Sequence, residues 1–128
     1  MLTIQTPPRA RQAPSEPRLG KLPELLKVIA DENRLRIFAL LTRGELCVCE
    51  LEDALGLSQS LVSNHLRVLK RAGLVRARRD AVDARWIYYS ADEEAVESLR
   101  GNLLGLLDLS QLDRTQAHCG PEGDGRYR

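Results

Sequence analysis

The sequence predicts a mostly helical α+β fold in which one two-stranded hairpin interrupts the helices. Apolar residues recur at helical spacing over most of residues 20–112. Between Val75 and Ser90 this spacing disappears, and the aromatic and β-branched residues 86–89 favour strands. The 128 residues, of which 43% are hydrophobic and 29% charged, suffice for one hydrophobic core. This composition excludes fibrous, collagen-like and largely disordered chains.

Five helices are predicted along the chain from their apolar spacing and their terminal residues. Asp31 and Ser58 can cap the second and fourth helices, because their side-chain oxygens accept hydrogen bonds from free backbone N–H groups. Gly44, Gly56 and Gly73 follow the second, third and fourth helices, where glycines commonly end a helix. The predicted helices cover residues 21–30, 33–41, 45–55, 59–72 and 92–109.

The hairpin is predicted over residues 75–90, with its turn at Asp80–Asp83. The third and fourth helices are joined by a short link and are followed directly by this basic hairpin. That order matches a winged helix-turn-helix, in which the second helix of the pair lies in the major groove of DNA. The predicted fold class is therefore a winged helix-turn-helix with a two-stranded wing.

Three regions are predicted along the chain. Residues 1–19 contain four prolines and few apolar side chains, so we expect a flexible N-terminal arm. Residues 20–112 form the winged helix-turn-helix domain, including its dimerisation helices. Residues 113–128 are rich in glycine and are predicted to be a disordered C-terminal tail.

The basic charge of the chain is concentrated in one segment. The formal net charge is only +1, yet residues 58–90 alone hold seven Lys or Arg against two Asp. A local excess of positive charge in the predicted helix and wing is typical of a nucleic-acid surface.

The fourth helix has one apolar and one polar face. With Val62 in the core, Leu66 and Leu69 lie within about 40° of it on a helical wheel. We expect the polar face and the wing to contact DNA, whereas the alternative is an ordinary solvated face. His65 lies beside the core face and is better explained as a hydrogen-bonded flank or phosphate contact than as a base reader. The candidate DNA-binding residues are Gln59, Ser60, Ser63, Asn64, His65, Arg67, Arg78, Arg79 and Arg85.

Several other protein classes are excluded by the sequence. No apolar run approaches the roughly 20 residues that a membrane-spanning helix needs, and the N-terminus lacks a signal-peptide apolar region, so we expect a cytoplasmic protein. Three cysteines do not make a disulfide framework. His118, Cys119 and Arg126 do not form a phosphatase-like anion loop, because six residues rather than five separate Cys119 from Arg126. We therefore expect no enzyme.

Cys47 and Cys49 are candidate ion ligands. Cys47 lies four residues before Leu51 and leans toward the core, whereas Cys49 lies on the polar side without a packing reason. Thiolates bind soft or thiophilic ions. In a regular helix two residues at this spacing point about 200° apart, so we expect ion binding to unwind the first turn and to weaken DNA binding. Core packing of both cysteines and a thiol-redox switch are the alternatives.

Four segments of the chain match a known pattern: DENRLRI at residues 31–37, ELCVCEL at 45–51, SQSLVSNHL at 58–66 and WIYY at 86–89. Together they resemble the ArsR/SmtB family of metal-responsive repressors. The similarity covers about residues 22–107 and implies a homodimeric winged-helix repressor that leaves its operator DNA when an ion binds. The cysteine-containing segment is similar to the arsenic-sensing, thiolate branch of the family.

The resemblance also bears on the ion and its third ligand. Arsenic sensors of the family often have a third cysteine where this chain has Glu52, which leaves Cys119, Glu52 or an exogenous group as the third ligand. The zinc sensors use histidines along the last helix, and residues 91–112 contain none. The predicted inducer is As(III) or Sb(III), held by Cys47, Cys49 and Cys119, with Cd(II) or Pb(II) as the alternative.

The predicted function is therefore repression of a metal(loid) resistance operon, relieved by the inducer. Dimerisation is expected through the first and last helices, because their apolar residues exceed what one small core can cover. A two-fold dimer implies double-stranded operator DNA with an inverted repeat. These apolar residues are Leu22, Leu25, Ile29, Val96, Leu99, Leu103 and Leu107.

Overall fold

The structure, a computed structural model, describes Glu16 and residues 18–112. The predicted tail, and with it Cys119, lies outside the described residues. The predicted arm does so as well, apart from Glu16, Arg18 and Leu19. Residues 19–105 form one compact unit. In the other unit, the described residues include a 3-10 turn at Leu109–Gln111. The helices are α1 Leu22–Ile29, α2 Glu32–Leu41, α3 Val48–Leu55, α4 Gln59–Arg71 and α5 Glu93–Leu106, and the strands are β1 Leu46–Cys47, β2 Val75–Arg79 and β3 Ile87–Ala91.

The predicted helix caps are confirmed. Asp31 Oδ1 accepts a hydrogen bond from the Arg34 backbone N–H at 3.0 Å, and Ser58 Oγ accepts one from Leu61 at 3.3 Å. Gly56 ends α3 with a φ of 67°, a left-handed conformation that side-chain-bearing residues rarely adopt. These local interactions fix where α2 and α4 begin.

The core lies where α2, α3 and α4 meet. Val62, Leu66 and Leu69 are buried, which confirms the predicted apolar face of α4. Leu22 and Leu99 are also buried in this core. The prediction that these two residues contribute to a dimer interface is therefore wrong. The remaining buried apolar residues of the cluster are Ile37, Phe38, Leu41, Leu51, Leu74 and Val75.

The predicted wing is present, but its sheet has a third strand. Strands β2 and β3 form the antiparallel hairpin, and β1 pairs with the other edge of β3. Leu46 lies opposite Tyr89 and Cys47 lies opposite Tyr88. The sequence did not indicate β1, because two residues are too few to show an alternating pattern.

The third helix begins later than predicted. The sequence placed its start at Glu45, whereas α3 begins at Val48 and Cys47 is its extended N-cap, with φ −88° and ψ 170°. Pairing with β3 keeps Leu46 and Cys47 extended, and Glu50 Oε1 accepts a hydrogen bond from the Cys47 backbone N–H at 3.2 Å. The last helix is shorter than predicted and ends at Leu106. None of the helices described is long and apolar enough to cross a membrane.

Candidate DNA interface and thiol site

The outward face of α4 presents most of the polar residues that the sequence predicts to contact DNA. Gln59, Ser60, Asn64 and Arg67 are exposed, and Ser63 is half-buried. Within residues 18–112, the side chains of Asn64 and Arg67 have no hydrogen-bond or ion-pair partner. An amide can pair with adenine and a guanidinium with guanine, so this face offers groups suited to base edges.

His65 does not lie on that face. Its side chain is turned into the protein, the residue is only 6% exposed, and Nε2 lies 4.0 Å from Asp31 Oδ1 at the start of α2. Among the described residues, Nδ1 has no hydrogen-bond partner. The helical position of His65, close to Val62 and Leu66, accounts for its burial. We therefore remove His65 from the candidate DNA contacts.

The wing arginine Arg78 is bound to the segment that precedes the cysteines. Its Nε and Nη2 atoms donate to the two carboxylate oxygens of Glu45 at 2.9 and 2.8 Å. Its guanidinium carbon lies 4.9 Å from the ring centre of Tyr88, within the range of a cation–π contact. The hydrogen bond from Arg78 lowers the pKa of Glu45 and raises that of Arg78. Sequence reasoning missed Glu45, because it lies 33 positions from Arg78 in the chain and no local spacing relates them.

The other two candidate DNA-binding arginines of the wing, Arg79 and Arg85, are held by partners within the wing. Arg85 donates from Nε and Nη2 to the Asp83 carboxylate at 3.0 and 2.8 Å, and Arg79 Nη1 donates to the Ala84 carbonyl at 2.9 Å. Each guanidinium has five N–H donors, so these contacts leave others for a phosphate. These wing cations are therefore held in defined orientations by the protein itself.

The two cysteine sulfurs are close together. Cys47 is buried and Cys49 is exposed, as the sequence predicted. Their Sγ atoms lie 2.9 Å apart. The expectation that ion binding must unwind the first turn is wrong, because Cys47 is extended and the 100° rotation of a helix does not separate the two residues. A metal–sulfur bond is about 2.3 Å long, so two sulfurs closer than roughly twice that distance can share one ion.

The local environment of Cys47 disfavours its thiolate form. Burial, and then the hydrogen bond with Cys49, raises the pKa of the Cys47 thiol to about 11. Glu50 accepts hydrogen bonds from Cys47, which lowers the pKa of the Glu50 carboxyl. The thiolate is the form that binds an ion, so Cys47 must lose its proton when it becomes a ligand.

The described residues supply two thiols and no third ligand. Within residues 18–112 no group of three or more His, Cys, Asp or Glu side chains could hold a metal ion. Glu52, one of the alternatives from the sequence, does not form such a group with the cysteines. Cys119 lies outside the described residues. The donor set therefore fits a thiophilic ion bound by Cys47 and Cys49, with the third position open.

Comparisons with known proteins identify the family. A sequence model of the bacterial regulatory protein arsR family matches residues 31–77. The arsenic resistance transcriptional regulator ArsR1 of Pseudomonas putida is 41% identical over 90 residues, which cover 70% of this chain and 68% of that protein. The chain belongs to the ArsR family. It is a transcriptional regulator of that family and not an enzyme, as the sequence predicted.

Two further relatives show the range of this family. A crystal structure described as a possible transcriptional regulator for arsenical resistance is 40% identical, covers 70% of this chain and 88% of its own, and superposes with a TM-score of 0.56. The transcriptional activator HlyU of Vibrio cholerae is 39% identical over 84 residues, which cover 66% of this chain and 75% of HlyU. The winged helix-turn-helix fold is confirmed. Relatives with different roles thus share this fold.

Proposed function

We propose that this chain represses a metal(loid) resistance operon and leaves its operator when As(III) or Sb(III) binds Cys47 and Cys49. The observation that supports this proposal above others is the 2.9 Å separation of the two sulfurs, one buried and one exposed, at the junction of β1 and α3. Soft thiolates select thiophilic ions. The similarity to an arsenic resistance regulator of P. putida supports the same choice of ion.

Two thiolates of the described residues would hold the ion, and Cys119 is our candidate for the third. Cys49 is exposed to solvent, whereas Cys47 is buried and must lose its proton before it can bind the ion. An ion bound to both residues bridges the end of β1 and the first turn of α3. Cd(II) and Pb(II) are the alternative inducers, since they also favour thiolates.

DNA release follows from the packing between α3 and α4. Leu51 of α3 lies in the same buried cluster as Val62 and Leu66 of α4. An ion that binds a displaced form of the β1–α3 junction more tightly shifts the protein toward that form. Displacement of α3 moves the helix that reads DNA, and the same coupling free energy weakens operator binding.

The DNA-bound form is a homodimer in this proposal. Helix α4 of each protomer enters a major groove, where Asn64 and Arg67 meet base edges and the wing arginines meet phosphates. Two such helices related by a two-fold axis require an inverted-repeat operator. Exposed leucines on α1 and α5, such as Leu26 and Leu104, provide apolar surface for the second protomer.

The experiment is a titration of the purified protein on DNA from its own upstream promoter. Fluorescence anisotropy of labelled DNA would follow release by As(III), Sb(III), Cd(II), Pb(II) and Zn(II). We expect As(III) and Sb(III) to release the protein at the lowest concentrations and Zn(II) to have no effect. If Cd(II) or Pb(II) releases the protein at lower concentrations than As(III) and Sb(III), that ion is the inducer instead. Release by none of these ions would contradict it.

The sulfur separation also favours a second candidate, a thiol-redox switch. Oxidation to a disulfide removes two electrons and two protons from the Cys47 and Cys49 thiols. The expectation that oxidation needs an unwound helix is wrong for the same reason as above, because the sulfurs already lie 2.9 Å apart. Release of operator DNA by a mild disulfide-forming oxidant, reversed by dithiothreitol, in protein that ignores As(III) would favour this candidate.

A further inference from the structure

One row of residues crosses the sheet from the thiol site to the wing. Cys47 on β1 lies opposite Tyr88 on β3, and Tyr88 lies opposite Arg78 on β2. Side chains of directly opposed residues in neighbouring antiparallel strands lie on the same face of the sheet. The buried thiol, the tyrosine ring and the wing cation are therefore consecutive neighbours on one face.

Glu45 forms a second link between the same two sites. It stands two residues before Cys47, and its carboxylate accepts both hydrogen bonds from the Nε–Nη2 edge of Arg78. Such a bidentate pair fixes the plane of the guanidinium as well as its position. Arg78 Nη1 takes no part in this pair and has no hydrogen-bond partner within residues 18–112. About half of the Arg78 side chain remains exposed, at 54%.

The other two candidate DNA-binding arginines of the wing lack such a link. Arg85 is held by Asp83, two residues away in the same turn, and Arg79 by a carbonyl five residues away. Of the three arginines predicted to contact DNA from the wing, Arg78 is thus the one whose partner lies in the cysteine-containing segment. A movement of that segment displaces Arg78 and leaves the partners of Arg79 and Arg85 in place.

We propose that Glu45 is a positioning residue that transmits occupancy of the cysteine pair to the wing. In the free protein Glu45 holds Arg78 against Tyr88, with Nη1 available for a DNA phosphate. When Cys47 and Cys49 take an ion, the end of β1 shifts, Glu45 moves with it, and Arg78 loses the position that DNA binding requires. This inference rests on the proposed function, in which the ion binds the two cysteines and the wing contacts phosphates.

The test compares Glu45→Gln with the unmodified full-length protein. Glutamine keeps the shape of the side chain but removes the charge that binds Arg78. We expect operator affinity without inducer to fall about two- to fivefold, as for a surface ion pair, and As(III) binding to the protein to be unchanged. The ratio of operator affinities without and with As(III) should fall by a similar factor. In the Glu45→Gln background, Arg78→Ala should cost little further affinity.

Asp83→Asn is the matched control, because it releases Arg85 from an equivalent bidentate pair on the same wing. We expect it to change operator affinity while leaving the release ratio by As(III) as in the unmodified protein. If Glu45→Gln leaves the release ratio unaltered, or if Asp83→Asn reduces that ratio equally, the proposed role of Glu45 is wrong. The proposed function would still stand. If the unmodified protein binds no operator or ignores As(III), both this inference and the proposed function are wrong.

Discussion

The sulfur atoms of Cys47 and Cys49 lie 2.9 Å apart because the two residues belong to different elements. Cys47 ends a strand and caps α3, whereas Cys49 lies in the first turn of that helix. An ion bound to both sulfurs therefore acts on the joint between the sheet and the helix-turn-helix. Both thiols lie within reach of one ion without unwinding of α3, and bonds of about 2.3 Å to each sulfur would push the sulfurs apart and so shift this joint.

We expect Cys47→Ser and Cys49→Ser each to retain operator binding and to lose the response to As(III). Neither residue lies on the exposed face of α4, and each substitution removes one of only two described thiol ligands. A hundredfold release of the unmodified protein would correspond to a coupling free energy of about 2.7 kcal/mol. Anisotropy titrations with and without As(III) measure both quantities. Normal release of the Cys49→Ser protein would contradict the sensing mechanism.

Substitution of Cys119 distinguishes two forms of the site. If Cys119 supplies the third thiolate, Cys119→Ser should lose high-affinity As(III) binding while operator binding stays intact. Isothermal titration of each protein with arsenite measures the affinity and the stoichiometry. A response equal to that of the unmodified protein would show that the third ligand is not Cys119, and would leave Cys47 and Cys49 with a non-thiolate or exogenous third ligand.

Arg67→Ala should reduce the preference for the operator over random DNA. If the free guanidinium of Arg67 reads a base, its loss should cost about 1 to 3 kcal/mol of specific binding. Arg85→Ala is the comparison, since a wing cation that contacts phosphates should weaken binding to every sequence alike. Both variants would be titrated on operator and scrambled duplexes at one salt concentration. Equal losses on the two duplexes for Arg67→Ala would assign it to a phosphate instead.

Leu104→Glu should convert the proposed dimer to a monomer. Leu104 on α5 is 62% exposed within one chain, and a carboxylate there would be buried without a partner in a dimer formed through α5. Leu35→Glu is the control, because Leu35 on α2 is 49% exposed and lies outside the proposed interface. Sedimentation velocity at micromolar concentration compares the three proteins. A monomeric unmodified protein, or dimers for both variants, would contradict this interface.

We expect Asp31, the N-cap of α2, to make the stability of the folded protein depend on acidic pH. The hydrogen bond from the Arg34 backbone N–H lowers the pKa of Asp31 from its ordinary value of 3.8. A lowered pKa means that the ionised carboxylate stabilises the folded protein above 3.8 and that this contribution is lost as the pH falls through the lowered pKa. Asp31→Asn keeps a good N-cap and should lack this part of the pH dependence. Thermal unfolding midpoints between neutral and acidic pH measure it, and parallel curves for the two proteins would contradict the assignment.

Much of this protein follows from short-range patterns in its sequence. Asp31 and Ser58 begin their helices as predicted, because a capping side chain acts on backbone groups within three residues of itself. Val62 and Leu66 fall on the buried face of α4, since helical periodicity alone decides which side chains share a face. The basic wing and the two cysteines were likewise identified from composition and spacing.

Tertiary structure decided the features that depend on residues far apart in the chain. Cys47 is extended because β1 pairs with β3, about 40 positions later, and this pairing brings its sulfur to that of Cys49. Glu45 meets Arg78 across 33 positions, and His65 turns inward because α4 packs near Asp31 at the start of α2. Strand pairs, ion pairs and buried contacts between elements join residues distant in the sequence, so they exist only in the folded chain. Spacing within one segment, which determines helices and their faces, holds no information about them.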